Sequence, residues 1–288
     1  MKREWTIECR KKMLHLSQKT HVMGILNVTP DSFYDGGEYF SPKQAVARGR
    51  QMAAEGADII DIGGQSTRPG SDWLSEEEEL ARILPVIEEL SPQLTIPISV
   101  DTVRAGVAAQ AIAAGAEIIN DISGGRFDPA ILTVAARQQV PIILMHIRGT
   151  PKTMQLDIHY DDLFGEMAKY FQETIQMAED QGIDPGRIII DPGIGFGKRL
   201  EDNLAIIANL DYFSQFEKPI LIGLSRKSFL GKILDIDAAG RLSGTIAANA
   251  LSIWNGAEII RVHDVIEGCW TARLIDLLKS SRFAAKRS

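Results

Sequence analysis

The residues able to do chemistry in this chain stand at the downstream ends of short apolar runs. Asn27 closes one run and leads into Val28-Thr-Pro-Asp31-Ser-Phe33-Tyr-Asp35-Gly-Gly37. A second run ends in Asp61-Ile-Gly-Gly-Gln65-Ser-Thr67-Arg68-Pro69-Gly70. The others end in Asp101-Thr102, Asn120-Asp121, Met145-His146, Asp191-Pro192, Ser225-Arg226-Lys227-Ser228 and Arg261-Val-His263-Asp264. Asp, Asn and Ser are ordinary helix caps and turn residues, which accounts for any one of these ends. It does not account for the set, because caps have no use for Arg68, Lys227, Arg261 or His263. Guanidiniums, an imidazole and an amide suit a phosphate or diphosphate. Carboxylates, an amide and an ammonium suit the donor and acceptor edge of a planar heterocycle.

Spacing excludes several other chemistries. No H-E-x-x-H and no clustered Cys/His pattern supports zinc, and no G-x-S-x-G elbow supports a nucleophilic serine. Gly193-Ile-Gly195-Phe-Gly197-Lys198 is the one tempting Gly-rich loop. It puts Lys198 where a dinucleotide fingerprint needs its third Gly. As a P-loop it has Pro192 in place of the first Gly and Arg199 after the lysine. Cys9 and Cys269 form no framework. His146 is open between a packing and a ligand role, His15, His21 and His159 read as incidental, and Trp254 and Trp270 read as packing or interface residues.

What must position the polar ends is a repeated unit: a β-branched run, a Gly/Asp/Ser loop, then an amphipathic stretch. Eight strands are expected, at Val22–Asn27, Asp58–Ile62, Pro97–Val100, Glu117–Asp121, Pro141–His146, Arg187–Asp191, Pro219–Leu224 and Glu258–Val262. Runs such as Ile188-Ile189-Ile190 are continuously apolar, as parallel strands covered on both faces require. Helices are expected over Ser41–Glu55, Ser75–Leu90, Thr102–Ala114, Asp128–Gln138, Tyr160–Gln181, Leu200–Phe213, Leu242–Trp254 and Val265–Leu278. Ser75 with Glu78 forms a capping-box pattern, and Glu76–Glu79 reads as a solvated first turn. The echo Gly-Ala-Asp/Glu-Ile-Ile at Gly56, Gly115 and Gly256 marks helix-to-strand junctions.

Eight strands alternating with eight helices specify an α/β fold, a (β/α)8 TIM barrel. A doubly wound sheet is the competitor, but it usually brings the dinucleotide fingerprint that is missing here. Residues 1–20 are expected to form a hairpin under the barrel, with residues 21–288 as a single domain. In a barrel, chemistry belongs at the C-terminal ends of the strands. Closure sets the last strand beside the first, so Asn27, Arg261 and His263 should converge, with Arg68 on the neighbouring loop. Asp101, Asn120, Asp191 and Lys227 should face them, with the reacting bond between an anion site and a heterocycle site.

Composition fits this reading and removes others. The chain has 288 residues, 45% hydrophobic and 24% charged, ample for a sizeable core. Its 31 Lys+Arg against 38 Asp+Glu leave a net charge of −7, which argues against binding nucleic acid through its phosphates. No window approaches the apolar length of a membrane span. The start, Met1-Lys-Arg-Glu-Trp-Thr-Ile-Glu-Cys-Arg-Lys-Lys, is too charged for a signal peptide. The expectation is a soluble cytoplasmic protein.

Five motifs in this order resemble the dihydropteroate synthase family, from about His21 to the C-terminus. They are Gly24-Ile-Leu-Asn-Val-Thr-Pro-Asp-Ser-Phe33, Ser66-Thr-Arg-Pro-Gly70, Asp191-Pro-Gly-Ile-Gly-Phe-Gly-Lys198, Ser225-Arg-Lys-Ser-Phe-Leu-Gly231 and Arg261-Val-His-Asp264. The resemblance implies a transferase that condenses 6-hydroxymethyl-7,8-dihydropterin diphosphate with 4-aminobenzoate, releasing diphosphate and 7,8-dihydropteroate. It implies Mg2+ at Asn27, and diphosphate contacts from Asn27, Thr67, Arg68, Arg261 and His263. Pterin contacts would be Asp101, Asn120, Met145, Asp191, Lys227 and Arg261, and the 4-aminobenzoate side Phe33, Pro69, Phe196, Lys227 and Ser228. Asp35, Arg68, Lys227, Arg261 and His263 would carry the catalysis, Asp35 by stabilising positive charge on the pterin.

The family is a sulfonamide target and usually a homodimer. Gln65 stands where many members have Glu, so the second loop's hinge or hydrogen bonding is expected to differ. The first loop has no inserted residue after Phe33, so sulfonamide sensitivity is expected. The nearest alternative is a pterin-dependent methyltransferase on the same barrel, which has no need for Arg68 or the diphosphate set. A catalytically dead barrel predicts loss of Asn27, Lys227 or His263, and all three are present.

Overall fold

The computed structural model describes residues 5–29, 41–66 and 73–284, with side chains to residue 281. An antiparallel hairpin comes first, β1 (Thr6–Glu8) against β2 (Met13–His15). Then follow β3 (His21–Asn27), α1 (Pro42–Ala54), β4 (Ile59–Gly63), α2 (Glu76–Leu90), β5 (Ile98–Asp101), α3 (Ala105–Ala114), β6 (Ile118–Asp121) and α4 (Ala130–Gln138). The second half holds β7 (Ile142–Met145), α5 (Leu163–Asp180), β8 (Ile188–Asp191), α6 (Leu200–Ala208), β9 (Leu221–Gly223), α7 (Ser228–Leu234), α8 (Leu242–Trp254), β10 (Ile259–Val262) and α9 (Val265–Ala284).

Strands β3 to β8 are parallel neighbours in chain order, β10 lies beside β3, and β9 beside β10. A parallel bridge between Ile190 and Ile220 brings the two remaining edges together, so the barrel is nearly closed. Every strand expected from an apolar run is present, its ends shifted by one or two residues.

The last helix runs on to Ala284, six residues past its expected end, and the helices depart from expectation in three further places. The sixth ends at Ala208 and continues as a tighter turn over Leu210–Phe216. Helix α7, Ser-Phe-Leu-Gly-Lys-Ile-Leu, was not expected; its 7 residues are too short for a periodic pattern and follow directly on a strand tip. The third concerns Glu79. The Ser75 capping box forms, with Ser75 Oγ accepting from the Glu78 amide at 3.2 Å and Glu78 Oε2 from the Ser75 amide at 2.9 Å. Glu79, however, is buried rather than solvated, and takes a hydrogen bond from Arg104 Nη1 at 2.5 Å. A capping run shows where a helix starts, not which of its residues face the barrel.

Side chains on the strands alternate, and the two sets have different fates. Val22, Leu26, Ile60, Ile62, Ile98, Val100, Ile142, Leu144, Ile188 and Ile190 pack outward under the helices. Met23, Ile59, Ile118, Ile143, Ile189, Leu221 and Ile259 point inward and meet Ile7, Cys9, Leu14 and Leu16 of the hairpin. That inner layer forms the barrel floor, and the hairpin seals it from below. Burying one such isoleucine contributes about 1.5–3 kcal/mol, and truncating Ile143 to alanine would cost about 2–5 kcal/mol.

Candidate active site

Above the apolar floor the same inward-facing positions turn polar. Two residues after Ile59 comes Asp61, and two after Ile118 comes Asn120. Asp191 follows Ile189, Arg261 follows Ile259, and Asn27 ends the inward series of Met23 and Ile25. Period-two alternation therefore carries a polar set up one face of the ring toward the C-terminal mouth.

The centre of this set is a guanidinium between two carboxylates. Arg261 Nε donates to Asp61 Oδ2 at 2.6 Å, and Nη2 donates to Asp101 Oδ2 at 2.7 Å. Asn120 Nδ2 donates to the same Asp61 oxygen at 3.0 Å. Asp61 is wholly buried and Asp101 nearly so. Burial pushes the Asp101 carboxyl up to about 7, against the pull of Arg261 and with the like charge of Asp61 adding to the rise. Arg261 was expected on both the anion and the heterocycle side; its two strong bonds tie it to the heterocycle-side carboxylates.

Asp191 and Lys227 form a second group. Asp191 Oδ1 accepts from the Gly193 amide at 2.7 Å, and burial raises its carboxyl. The Lys227 ammonium donates to the Ile194 carbonyl and lies 4.7 Å from the centre of the Phe196 ring. Burial pulls Lys227 down to about 8, with Asp191 opposing the shift. Met145 and Phe196 join Val103, Ile122, Ile147, Met154 and Phe127 in a small apolar cluster at the mouth.

The last two loops are interlocked. His263 Nδ1 lies 2.9 Å from Ser225 Oγ, which also accepts from the His263 amide at 3.1 Å. Arg226 grips Asp264 through both nitrogens, Nε at 2.8 Å and Nη2 at 2.9 Å. Val262 pairs with Gly24, so His263 and Asn27 rise from adjacent strands, as closure requires. Ser228 opens α7 and is exposed.

At the stem of the second loop, Gln65 Nε2 donates to the Ser66 carbonyl at 2.9 Å and Gln65 Oε1 accepts from the Leu74 amide at 2.7 Å. One amide side chain thus holds both ends of that loop, and a carboxylate there would lose the donor half. Phe33, Asp35, Thr67, Arg68 and Pro69 lie outside the described residues.

Three residues here were missed from sequence. Asp61 was seen as a strand end but not placed in the site, although its parity with Ile59 was readable. Ser225 was read with its strand tip, but its bond to His263 depends on the register between the paired strands β9 and β10, which no local pattern shows. Lys198 was noted only for failing the nucleotide motifs. His146, left open between two roles, is buried and accepts from Lys198 Nζ at 2.8 Å.

Among the described residues no cluster of His, Cys, Asp or Glu could hold a metal ion alone. Asn27 offers one inward amide oxygen at the mouth. A single neutral amide fits Mg2+ only as one ligand among waters and substrate phosphates, since this ion keeps several of its waters.

The profile described as pterin binding enzyme matches residues 23–263, most of the chain. The chain belongs to the pterin-binding enzyme family. Within that family it is 51% identical to the dihydropteroate synthase of Synechocystis over 91% of both chains. The dihydropteroate synthase of Yersinia pestis, solved with a sulfonamide drug complex, superposes with a TM-score of 0.91 at 41% identity, covering 96% of this chain and 99% of that one. The Xanthomonas albilineans enzyme, solved with 4-aminobenzoic acid, gives 0.89 at 41% identity, covering 97% and 99%. The family's span runs from the inward floor residue Met23 to His263 at the mouth, so it includes the whole polar set.

Proposed function

We propose that the chain is a dihydropteroate synthase, a transferase that joins 6-hydroxymethyl-7,8-dihydropterin diphosphate to 4-aminobenzoate and releases diphosphate. The observation that carries this reading is the inward set Asp61, Asp101, Asn120, Asp191, Lys227 and Arg261 above a sealed floor, in a family of pterin-binding enzymes. Its carboxylates, amide and cations match the edge of a pterin, and Met145 packs against the ring.

An arylamine is a weak nucleophile because its lone pair is shared with the ring. Departure of diphosphate therefore runs ahead of attack: the methylene C–O bond breaks with its electron pair leaving on oxygen, and the pterin delocalises the cation. Asn27, Thr67, Arg68, Arg261 and His263 hold the diphosphate and stabilise its growing charge. Asn27 would hold Mg2+, which would supply further countercharge to the departing diphosphate. Asp35 offsets the cation, and the first two loops exclude water from it. Phe33, Pro69, Phe196, Lys227 and Ser228 seat the 4-aminobenzoate. Its nitrogen forms the new C–N bond, and the released proton passes to solvent, so no strong base is needed.

The partners are these small molecules and a second copy of the chain. Leu251 and Trp254 on α8, with Trp270, Leu274, Leu277 and Leu278 on α9, leave a broad apolar face exposed, which supports a homodimer. Two free cysteines and no membrane-length apolar helix among the described residues agree with a cytoplasmic location.

The test is diphosphate release from the pterin substrate with and without 4-aminobenzoate. Release matched by 7,8-dihydropteroate is expected. Methyl transfer from a methylated pterin, with no pteroate formed, would favour the methyltransferase.

A further inference from the structure

Lys198 is 3% exposed, and no acidic side chain bonds its ammonium among the described residues. Instead Nζ donates to the carbonyls of Gly193 at 2.9 Å and Phe196 at 3.1 Å, and to His146 Nδ1 at 2.8 Å. The His146 carbonyl lies farther off at 3.4 Å, so three N–H donors meet three close acceptors and one long one. Burial lowers Lys198 to about 7 and His146 well below its usual range, which keeps the imidazole neutral; an ammonium facing Nδ1 selects the tautomer with its proton on Nε2. The imidazole is itself held edge-on to Tyr170, ring centres 4.6 Å apart. An unpaired buried ammonium is costly to fold around, and a methionine of similar length would pack at less cost.

The loop that Lys198 gathers is the Gly-rich segment that fails both nucleotide motifs. A phosphate loop aims its N–H groups at an anion; this one aims carbonyls at cations. Those of Gly193 and Phe196 turn inward to Lys198, while that of Ile194 meets Lys227. Glycine is needed for the reversals: Gly193 has φ +68 and a Cβ there would stand 2.0 Å from the His146 carbonyl oxygen. The same segment presents the Phe196 ring to Lys227 at the mouth.

We propose that Lys198 is a positioning residue for the second substrate: its buried ammonium fixes the Gly193–Phe196 loop and thereby the surface on which 4-aminobenzoate is seated. This rests on the synthase reading above. The pterin contacts Asp101, Asn120 and Arg261 come from strands that Lys198 does not touch, whereas Asp191 and Lys227 bond the loop only through the Gly193 amide and the Ile194 carbonyl, so the 4-aminobenzoate KM should rise more than the pterin KM.

The experiment is steady-state kinetics on the full chain, with backbone hydrogen exchange over residues 193–197. Lys198→Met should raise the KM for 4-aminobenzoate about tenfold or more while the pterin KM stays within about threefold. His146→Asn keeps an acceptor where Nδ1 stands and should remain within about twofold of wild type in both. If Lys198→Met does not fold, His146→Leu, which removes one acceptor, should show the same split at about threefold. Exchange should rise across 193–197 and stay unchanged in β8. An unchanged 4-aminobenzoate KM, or two KM values rising together, overturns the proposal. If the wild type makes no pteroate, the synthase reading fails by itself, and unchanged exchange at 193–197 would separately refute the role of Lys198.

Discussion

Arg261→Met would leave Asp61 and Asp101 facing one another inside the barrel without a countercharge. Their oxygens lie 2.6 and 2.7 Å from the guanidinium nitrogens, with Asp61 at 0% exposure. With charge centres roughly 4 Å apart and an effective dielectric of about 20, each attraction is about 4 kcal/mol. The substitution also removes the desolvation cost of the guanidinium, so the net loss should be about 3–5 kcal/mol, as for other broken buried pairs.

The loss should depend on pH, with a definite sign. Asp101 titrates at about 7 in the folded chain. In the unfolded chain a carboxyl of this type titrates near 4, so the folded state holds the extra proton between these values. The contribution of Asp101 to wild-type stability therefore declines as pH rises from about 4 to about 7 and is constant above, and the difference between wild type and variant isolates it from the other buried groups. Without Arg261, whose charge lowers it, the Asp101 carboxyl rises further and the decline extends to higher pH. The variant should trail wild type by about 1 kcal/mol at about pH 5 and by the full amount at about pH 8.

Urea unfolding at both pH values measures this directly. Adding Asp101→Asn should restore part of the loss, with a coupling of about 1–3 kcal/mol. Equal losses at the two pH values, or strictly additive losses in the double variant, would refute the reasoning. In turnover, Arg261→Ala should slow the chemical step and weaken diphosphate binding, read as kcat and as product inhibition.

Three further outcomes are expected. Lys227 titrates at about 8, so pterin affinity should fall as pH rises through that value and its ammonium is lost; Lys227→Arg, always charged, should flatten the profile measured by calorimetry. Asp264→Ala should reduce kcat/KM about tenfold by freeing Arg226 and the loops bearing Lys227 and His263, while urea unfolding shows a loss of only about 1 kcal/mol, since both partners are partly exposed. A sulfonamide should inhibit turnover competitively with 4-aminobenzoate; turnover unaffected at high sulfonamide concentration would contradict the intact first loop inferred from sequence.

Much of the fold was legible because parallel strands buried on both faces leave continuous apolar runs, and each run here corresponds to a strand. The site was legible where chemistry sat at a run's end, as at Asn27, Asp101, Asp191 and Arg261. It was illegible where a role depends on a partner distant in sequence. Asp61 acquires its meaning only from Arg261, and Glu79 only from Arg104. Lys198 looked like a failed phosphate motif because a pattern of glycines does not say whether amides or carbonyls converge. Helix α7 escaped because so short a segment offers no period to read.

In the proposed reaction one mouth holds the heterocycle on Asp101, Asn120, Asp191 and Lys227 and the leaving group beside Asn27 and His263. A crystal structure with a pterin bound tests it most directly. The ring should sit among those four side chains, with its 6-substituent directed toward Asn27 and His263. A pterin bound outside the mouth, or turned so that its 6-substituent points away from those two residues, would contradict it.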